Sequence, residues 1–325
     1  MISPVKIWLP MKRIVVFSGN AHPKLARDIC KRLKTPLSPA AISRFSNDCV
    51  GVQLRASCRE ADVFIIQPLV PPVQEHLVEL LLMLDAARGA SAARITAVIP
   101  HYAYARSDKK DAPRISIAAR LVADLLSTAG ANRVLTMTLH AAQVHGFFSV
   151  PVDHMNALKV LAKHFRRKNL RETVVVSPDL GNAKQSSHFA RMLELPVAAG
   201  SKRRLSDDRV VLDAIVGDVD GKNVIVLDDE IANGGTIVEV LQRLRERQVK
   251  RIVVACTHGL FTGPAIERLR AQTDIEEIVT TDTVPLPAEK RLPNMTVLSI
   301  APLLADAIRH IHLGKSVSRL FDGTG

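Results

Sequence analysis

Aromatic residues are scarce in this chain of 325 residues: phenylalanine, tyrosine and tryptophan make up only 4% of it, with a single tryptophan. Proteins that hold single strands of nucleic acid stack the bases on aromatic side chains, so a stacking platform is not expected here. The sequence also lacks an apolar run of ~18 residues, the length that a membrane-spanning helix requires. We therefore expect neither nucleic acid nor a membrane as a partner.

Cysteine is equally rare, and its four positions, Cys30, Cys49, Cys58 and Cys256, lie far apart without the paired spacing of a zinc site. Isolated thiols are typical of reduced cytosolic proteins. The apolar stretch at the N-terminus is too short for a signal peptide. These observations predict a cytoplasmic protein.

The chain has a marked excess of positive charge, with a net charge of +12. Such an excess indicates anionic partners, which are phosphorylated small molecules or nucleic acid. The basic residues are dispersed rather than concentrated in one stripe, which disfavours nucleic acid. The hydrophobic fraction of 47% and charged fraction of 23% are those of a globular protein, and the length suits two domains.

Strands and helices alternate along the chain, which predicts an α/β fold of two similar lobes, each a mainly parallel sheet flanked by helices. The predicted strands are 12–19, 50–54, 61–67, 94–100, 133–137, 173–177, 223–227, 251–256 and 277–280. The predicted helices are 23–33, 71–88, 116–129, 157–166, 184–193, 237–244 and 302–311. We place the domains at 1–155 and 156–325, with the last ten or so residues packing back on the first domain.

One stretch, 222–247, organises the second half. Its strand is almost wholly apolar and β-branched, which is typical of a parallel strand buried on both faces. The strand ends in Asp228 and Asp229, and the turn that follows, Asn233-Gly234-Gly235-Thr236, leads into a helix. Glycine N–H groups, a threonine hydroxyl and a helix N-terminus favour a phosphate. Adjacent carboxylates favour the hydroxyls of a diol, so the stretch predicts a sugar phosphate site.

Other interpretations of these residues remain open. The stretch is also compatible with an ordinary strand–turn–helix unit whose acidic pair is solvated. Strand ends of open α/β sheets are, however, where ligands bind. His140 and Asp179 each follow a predicted strand, which favours a functional role over the structural one that a lone histidine usually has. The charged residues crowded into 106–114 fit either a solvated loop or a ligand-binding loop.

The chain resembles the ribose-phosphate pyrophosphokinase (phosphoribosyl pyrophosphate, PRPP, synthetase) family. Matching stretches extend from Phe17-Ser-Gly-Asn20 through Tyr104-Ala-Arg-Ser-Asp-Lys-Lys-Asp to Ser316-Val-Ser-Arg-Leu-Phe321. The resemblance implies two phosphoribosyltransferase-type domains. It also implies a Mg²⁺-dependent enzyme that transfers the diphosphoryl group of ATP to the C1 hydroxyl of ribose 5-phosphate, giving PRPP and AMP.

The resemblance assigns roles residue by residue. It implies Lys202, Arg204 and His140 for catalysis, and His140 with Asp179 for the metal. It implies Asp228, Asp229, Asn233, Gly234, Gly235 and Thr236 for ribose 5-phosphate. ATP is assigned to Arg106, Ser107 and Asp108, together with Phe45, Asn47 and Cys49 from another subunit. A regulatory phosphate or ADP is assigned to Ser57, Arg59, Ser91, Arg114, Ser316 and Ser318. The family usually forms hexamers, and a shared ATP site requires at least a dimer.

Several positions depart from the family pattern. Thr138 replaces an aspartate two residues before the histidine, and Ala142 stands where the family is often acidic or polar. Ala232 and Asn233 replace an acid and a threonine of the phosphate loop, Cys49 replaces a glutamate and Ser107 replaces a glutamine. Each change removes a charge or hydrogen bond worth about 1–3 kcal/mol.

These departures leave alternative functions open. One alternative is a catalytically weak regulatory paralogue that assembles with a true synthetase, and another is a diverged enzyme acting on a related sugar phosphate. A phosphoribosyltransferase that consumes PRPP would share the central loop but usually lacks the 106–114 loop and the His140 segment. A nucleic-acid binder has only the net charge in its favour.

Overall fold

The computed structural model describes residues 13–206 and 209–321; for 202–206, 209–213, 319 and 321 it describes the backbone alone. These residues form two compact units. The first contains 13–136, 143–153 and 301–321, and the second contains 137–142 and 154–300, apart from the undescribed positions. The chain therefore passes between the units more than once, and a short segment around His140 belongs to the second unit.

The elements of the first half, in chain order, are β1 (Ile14–Ser18), α1 (Pro23–Leu33), β2 (Ala40–Arg44), β3 (Val50–Leu54), β4 (Asp62–Ile66), α2 (Val73–Gly89), β5 (Arg94–Ile99), α3 (Ala118–Ala129), β6 (Arg133–Met137) and β7 (Val152–Met155). Those of the second half are α4 (Leu158–Phe165), β8 (Thr173–Ser177), α5 (Ala183–Leu193), β9 (Val197–Ser206), β10 (Arg209–Val216), β11 (Asn223–Ile231), α6 (Gly235–Glu246), β12 (Arg251–Gly259), α7 (Ala265–Arg270), β13 (Ile275–Thr281), β14 (Met295–Leu298), α8 (Ala301–His312) and α9 (Ser318–Phe321). Three short 3₁₀ helices, Ala103–Arg106, Ala142–Phe147 and Ala288–Lys290, lie between them.

The first sheet has the strand order β1-β4-β5-β6-β7, and its pairs from β1 to β6 are parallel. The C-terminal helix α8 packs against α1 of this unit. Arg94, at the start of β5, forms an ion pair with the buried Asp62 and donates to the Ile311 carbonyl oxygen at 2.9 Å. His312 Nδ1 lies 2.9 Å from the Asp62 carboxylate. These contacts attach the C-terminal helix to the first sheet.

The second sheet has seven strands in the order β10-β9-β8-β11-β12-β13-β14, all parallel except the β10–β9 pair. Successive side chains of a strand point to opposite faces, and in β11 this alternation divides the core. Val224 and Val226 pack with the buried residues of α6 and α7. Ile225 and Leu227 pack with those of α4 and α5. Helices therefore cover both faces, and β11 is apolar on both sides, as its sequence predicts.

The order of the strands reverses between β8 and β11. From β8 the chain continues through α5 to β9 on one side, whereas from β11 it continues through α6 to β12 on the other. Because α5 and α6 lie on opposite faces of the sheet, a crevice opens at the carboxyl ends of β8 and β11. Asp179 follows β8, and Asp228 and Asp229 lie near the carboxyl end of β11. The topology thus places the predicted carboxylates at a binding crevice.

The α/β prediction is confirmed, and several elements have the predicted bounds. These are α1 (Pro23–Leu33), β6 (Arg133–Met137) and β8 (Thr173–Ser177). Five strands were not predicted: β2, β7, β9, β10 and β14. The β9–β10 pair is antiparallel. Charged residues at 202–204 interrupt β9, and β10 is mostly apolar without regular alternation, so neither strand has the alternating pattern that identifies a half-buried strand. In the described part of the chain, helices long and apolar enough to span a bilayer are absent.

The packing of α6 can be tested by truncating one core side chain. Leu241 is fully buried in the cluster that joins α6 to β11. We expect Leu241→Ala to lower the free energy of unfolding by about 2–5 kcal/mol, because the cavity it leaves collapses only partly. Glu239→Ala on the exposed face of the same helix should change it by less than about 0.5 kcal/mol. Urea denaturation followed by circular dichroism measures both, and equal effects would contradict the assigned helix face.

Candidate active site

The turn between β11 and α6 has the backbone geometry of an anion site. Gly234 adopts a left-handed conformation with φ of 76°, which L side chains rarely adopt, and α6 begins at the next residue. The first N–H groups of a helix have no partner within the helix, and they give its N-terminus positive potential. The turn thus offers donors for a phosphate at the position that the sequence predicts.

Two side chains stabilise this turn. Asn233 Oδ1 accepts a hydrogen bond from the Gly235 N–H at 2.9 Å, so this amide has a partner when no ligand is bound. Arg268 of α7 donates from Nη1 to the Asn233 carbonyl oxygen at 3.0 Å. The Arg268 guanidinium adds a positive charge beside the turn. Arg268 was not among the predicted site residues, because nothing in its local pattern distinguishes it from Arg270, the other exposed arginine of α7.

His140 contacts the acidic pair directly. Its Nδ1 lies 2.7 Å from Asp229 Oδ2, although the two residues are 89 positions apart in the chain. The Asp229 side chain is 6% exposed and the His140 side chain 42% exposed. Asp229 is therefore buried with a partner, and the imidazole is partly exposed to solvent. The structure brings these two predicted site residues together.

The pKa values of the two neighbouring carboxyl groups are shifted in opposite directions. Burial, followed by the charge of Asp229, raises the pKa of Asp228 well above its usual range, and Asp179 adds to this effect. Burial also acts to raise the pKa of Asp229, but hydrogen bonds from His140 and Asp228 outweigh it and lower that pKa below its usual value. The pair therefore favours one proton on Asp228 and an ionised Asp229.

Asp179 lies in the turn after β8, beside the end of β11. Its Oδ1 accepts from the Asn182 N–H at 3.0 Å, and Asn182 Nδ2 in turn donates to the Leu227 carbonyl oxygen at 3.1 Å. This second bond attaches the turn to β11 one residue before the acidic pair. Asp179, Asp228, Asp229 and His140 thus all lie at the carboxyl ends of β8 and β11.

The segment before His140 is held by contacts that the sequence did not reveal. Thr138 is buried and has a positive φ of 43°. Its N–H donates to the Met155 carbonyl oxygen at 2.7 Å, and its Oγ1 accepts from the Ala157 N–H at 3.3 Å. Its own carbonyl oxygen lies 3.0 Å from His258 Nε2. The hydroxyl at this departure from the family pattern is therefore used in local structure.

The geometry around His140 fits a role as a metal ligand. A histidine that binds a metal through one ring nitrogen usually gives the other to a carboxylate, as His140 does with Asp229. The described residues contain no group of three or more His, Cys, Asp or Glu side chains able to hold a metal by themselves. Mg²⁺ commonly takes one or two protein ligands and completes its shell with water and substrate phosphates. The donor set present therefore fits that ion.

Two predicted catalytic residues, Lys202 and Arg204, lie in β9, but their side chains fall outside the described part of the chain. Their roles stay predictions. The strand that carries them pairs with β8 over Val197–Ala199, on the side opposite to β11.

The predicted ATP residues belong to the first unit. Ser107 accepts from the Ala118 N–H at 3.1 Å and donates to the Ser116 carbonyl oxygen at 3.2 Å, so its hydroxyl fastens the loop to the start of α3. Asp108 accepts from Gln143 Nε2 at 2.6 Å. Arg106 is exposed at the end of the 3₁₀ helix Ala103–Arg106. The replacement of a glutamine by Ser107 therefore has a structural use.

The remaining nucleotide residues form the tip of the β2–β3 hairpin. Phe45, Asn47 and Cys49 are all exposed there, and the Phe45 side chain is 59% exposed. The turn is closed by hydrogen bonds from the Phe45 N–H to the Cys49 carbonyl oxygen at 2.8 Å and from the Cys49 N–H to Asn47 Oδ1 at 3.3 Å. The hairpin presents an aromatic ring to its surroundings rather than to its own core.

The predicted regulatory residues are likewise exposed in the first unit: Ser57, Arg59, Ser91, Arg114, Ser316 and Ser318. Ser57 and Arg59 line one surface cleft, which Ala90 borders next to Ser91. Ser91 and Arg114 both have a φ of 61°. Within this set the Ser318 N–H donates to Ser316 Oγ at 3.2 Å, a contact local to the C-terminal turn. The assignment of a common ligand stays a prediction.

Comparison with known families matches both halves of the chain. Residues 14–130 match the N-terminal domain of ribose phosphate pyrophosphokinase, and residues 210–322 match the phosphoribosyl synthetase-associated domain. A Streptomyces coelicolor protein, provisionally named a ribose-phosphate pyrophosphokinase, is 64% identical over 96% of this chain and 98% of its own length. The ribose-phosphate pyrophosphokinase of Deinococcus radiodurans is 50% identical over 95% of this chain and 98% of its own.

A solved structure supports the same relationship. The crystal structure of phosphoribosylpyrophosphate synthetase from Mycobacterium smegmatis has a TM-score of 0.88 with this chain and 42% sequence identity. The match covers 93% of this chain and 100% of that one. Similarity thus extends over nearly the whole length in both sequence and fold.

Because the pKa of Asp228 is raised, a substitution that removes its charge is expected to stabilise the protein in a pH-dependent way. The pKa of Asp228 is higher in the folded protein than its ordinary value of 3.8. Its contribution to the free energy of unfolding is therefore fully present below pH 3.8, and it is lost as the pH rises through the pKa of the folded state. Asp228→Asn has no charge to bury, so we expect a higher Tm than the parent at pH 7 and a difference that vanishes near pH 4. Calorimetry in EDTA measures both; a lower Tm at pH 7 would contradict the predicted cost of ionising Asp228.

Proposed function

Because this chain belongs to the ribose-phosphate pyrophosphokinase (PRPP synthetase) family, we propose that it transfers the diphosphoryl group of MgATP to the C1 hydroxyl of ribose 5-phosphate. The products are PRPP and AMP. The observation that carries this proposal is the phosphate turn, the acidic pair and His140 together in one unit of a chain that is similar to these enzymes over nearly its whole length.

Ribose 5-phosphate binds at the end of β11. Its phosphate takes the turn 233–236, where the left-handed Gly234, the Thr236 hydroxyl and the start of α6 supply donors and positive potential. Because Asn233 Oδ1 occupies the Gly235 N–H, the phosphate competes with that side chain for this donor. Asp228 and Asp229 take the ribose hydroxyls. An ionised Asp229 accepts from a hydroxyl, and a protonated Asp228 also donates, so the two carboxyl groups distinguish the positions of a diol.

His140 and Asp179 are the side chains that hold Mg²⁺, with Asp229 orienting the imidazole. When bound, the ion neutralises charge on the phosphate oxygens of ATP during transfer. Transfer of this kind depends on alignment and charge neutralisation more than on covalent chemistry of the protein. Lys202 and Arg204 add fixed cations for the diphosphoryl group.

ATP binds to Arg106, Ser107 and Asp108 and to Phe45, Asn47 and Cys49 of a neighbouring copy. The exposed Phe45 ring suits stacking on a base, which supports this assignment. A site completed by a neighbour requires a homo-oligomer of at least two subunits, and a hexamer is the form that we propose. Phosphate or ADP acts as an effector at the exposed hydroxyls and arginines that include Ser57, Arg59 and Arg114. We place the enzyme in the cytoplasm.

The proposed reaction can be tested on the purified chain. With ATP, ribose 5-phosphate and Mg²⁺, we expect AMP and PRPP in equal amounts, detected by ion-exchange chromatography. EDTA should abolish turnover and added Mg²⁺ should restore it, since the metal neutralises the phosphate charge. Failure to release AMP, together with no binding of either substrate by calorimetry, would overturn the proposal. Turnover by the chain alone would exclude a purely regulatory role.

The phosphate turn can be tested with a matched pair of glycine substitutions. Gly234→Ala places a side chain at a φ of 76°, which costs about 1–2 kcal/mol and distorts the turn. We expect the KM for ribose 5-phosphate to rise about 5–30-fold, the factor that corresponds to this energy, with an unchanged KM for ATP. Gly221→Ala imposes a similar φ of 63° in open space before β11 and is the control. Equal KM values for the two variants would contradict the phosphate site.

A further inference from the structure

A buried histidine in the second unit has no part in the function described so far. His258, near the end of β12, is 3% exposed, and both of its ring nitrogens have hydrogen-bond partners. Nε2 lies 3.0 Å from the Thr138 carbonyl oxygen, and Nδ1 lies 2.9 Å from Thr283 Oγ1. One ring thus connects β12 to the segment before His140, 120 residues away in the chain.

The partners of His258 determine which nitrogen carries the proton. A carbonyl oxygen only accepts, so Nε2 must donate to Thr138. Nδ1 lies 2.9 Å from Thr283 Oγ1, which donates to the Thr257 carbonyl oxygen at 3.0 Å; Thr281 Oγ1 donates to the same carbonyl oxygen at 2.8 Å. These threonines hold the ring from its other side, so that its Nε2–H points at the Thr138 carbonyl oxygen.

The residue held in this way is strained. Thr138 is β-branched and has a φ of 43°, a conformation that such residues rarely adopt. A strained backbone persists only where its surroundings over-determine it. Here the surroundings are the Met155 carbonyl oxygen, the Ala157 N–H, the His258 ring and, one residue later, His154 Nε2, which accepts from the Leu139 N–H at 2.9 Å. Of these groups, His258 is the one that donates to the Thr138 carbonyl oxygen.

The strained residue lies two positions before His140, whose side chain is 42% exposed. Where the backbone places the imidazole contributes to its distance of 2.7 Å from Asp229. We propose that His258 is a positioning residue, which holds the Thr138 carbonyl so that His140 keeps its place against Asp229 and receives the metal in the diphosphoryl transfer. This inference rests on the proposed function.

Two substitutions of His258 separate its hydrogen bond from its bulk. In His258→Gln the amide nitrogen stands near the position of Nε2 and can still donate to Thr138. In His258→Asn the shorter amide reaches only the position of Nδ1, so the bond to Thr138 is lost. His164→Gln is the control, because this histidine belongs to the same unit but contacts Glu277, at 3.1 Å, near the start of β13. Measured Tm values identify any variant whose defect is global.

The readouts are Mn²⁺ affinity by titration calorimetry, without nucleotide, and kcat against Mg²⁺ concentration. Because residues that orient a metal ligand commonly affect affinity or activity 10–100-fold, we expect a loss of about that size in His258→Asn and one of less than about threefold in His258→Gln and His164→Gln. Equal losses in His258→Gln and His258→Asn would overturn the inference. So would wild-type metal affinity in His258→Asn.

A second measurement keeps this inference separate from the reaction itself. In protein labelled with nitrogen-15 histidine, the NMR chemical shift of His140 Nδ1 reports its hydrogen bond. The signal is identified by its absence from the spectrum of His140→Gln. We expect that signal to shift in His258→Asn and to stay in place in His258→Gln and His164→Gln. An unchanged signal in His258→Asn would overturn the positioning role. A shifted signal in a protein that releases no AMP would support the positioning role and refute the proposed function.

Discussion

The hydrogen bond between His140 and Asp229 is the interaction on which the candidate site depends. A buried carboxylate is costly unless it is paired, and His140 supplies the partner that keeps Asp229 ionised. The pKa of Asp228, beside it, is raised by removal from solvent and by repulsion from the Asp229 charge, so the two carboxyl groups do not ionise at the same low pH. Through its contact with Asp229, His140 therefore gives two identical side chains different properties. Asp229 is ionised and only accepts hydrogen bonds, whereas a protonated Asp228 can also donate one.

The sheet topology determines where this pair lies. In open parallel sheets ligands bind at the carboxyl ends of the strands, and the reversal of strand order between β8 and β11 opens a crevice there. Asp179, the acidic pair and the glycine turn meet at this crevice because β8 and β11 are neighbours. The same unit also includes the short segment 137–142, which brings His140 to these strands although the flanking residues belong to the first unit.

Departures from the family pattern have structural uses in this chain. Thr138 has no carboxylate, yet its hydroxyl and both of its backbone polar groups are hydrogen-bonded. Asn233 closes the phosphate turn onto the Gly235 N–H, and Ser107 fastens its loop to α3. Each of these side chains, which differs from the residue typical of the family, therefore makes a hydrogen bond of its own. These structural uses agree with the similarity of the chain to ribose-phosphate pyrophosphokinases over nearly its whole length.

The sequence by itself determined the α/β class, the bounds of α1, β6 and β8, and the strand, acidic pair and glycine turn of 222–247, because these depend on side-chain periodicity and on residues close together in the chain. It did not reveal the β9–β10 hairpin, whose strands lack a regular alternation of apolar and polar residues. Only the tertiary structure decided that His140 pairs with Asp229, that His258 holds Thr138 and that α8 joins the first sheet. Such contacts join residues far apart in the chain, and the order of strands in a sheet, which local pattern does not encode, decides which of them meet.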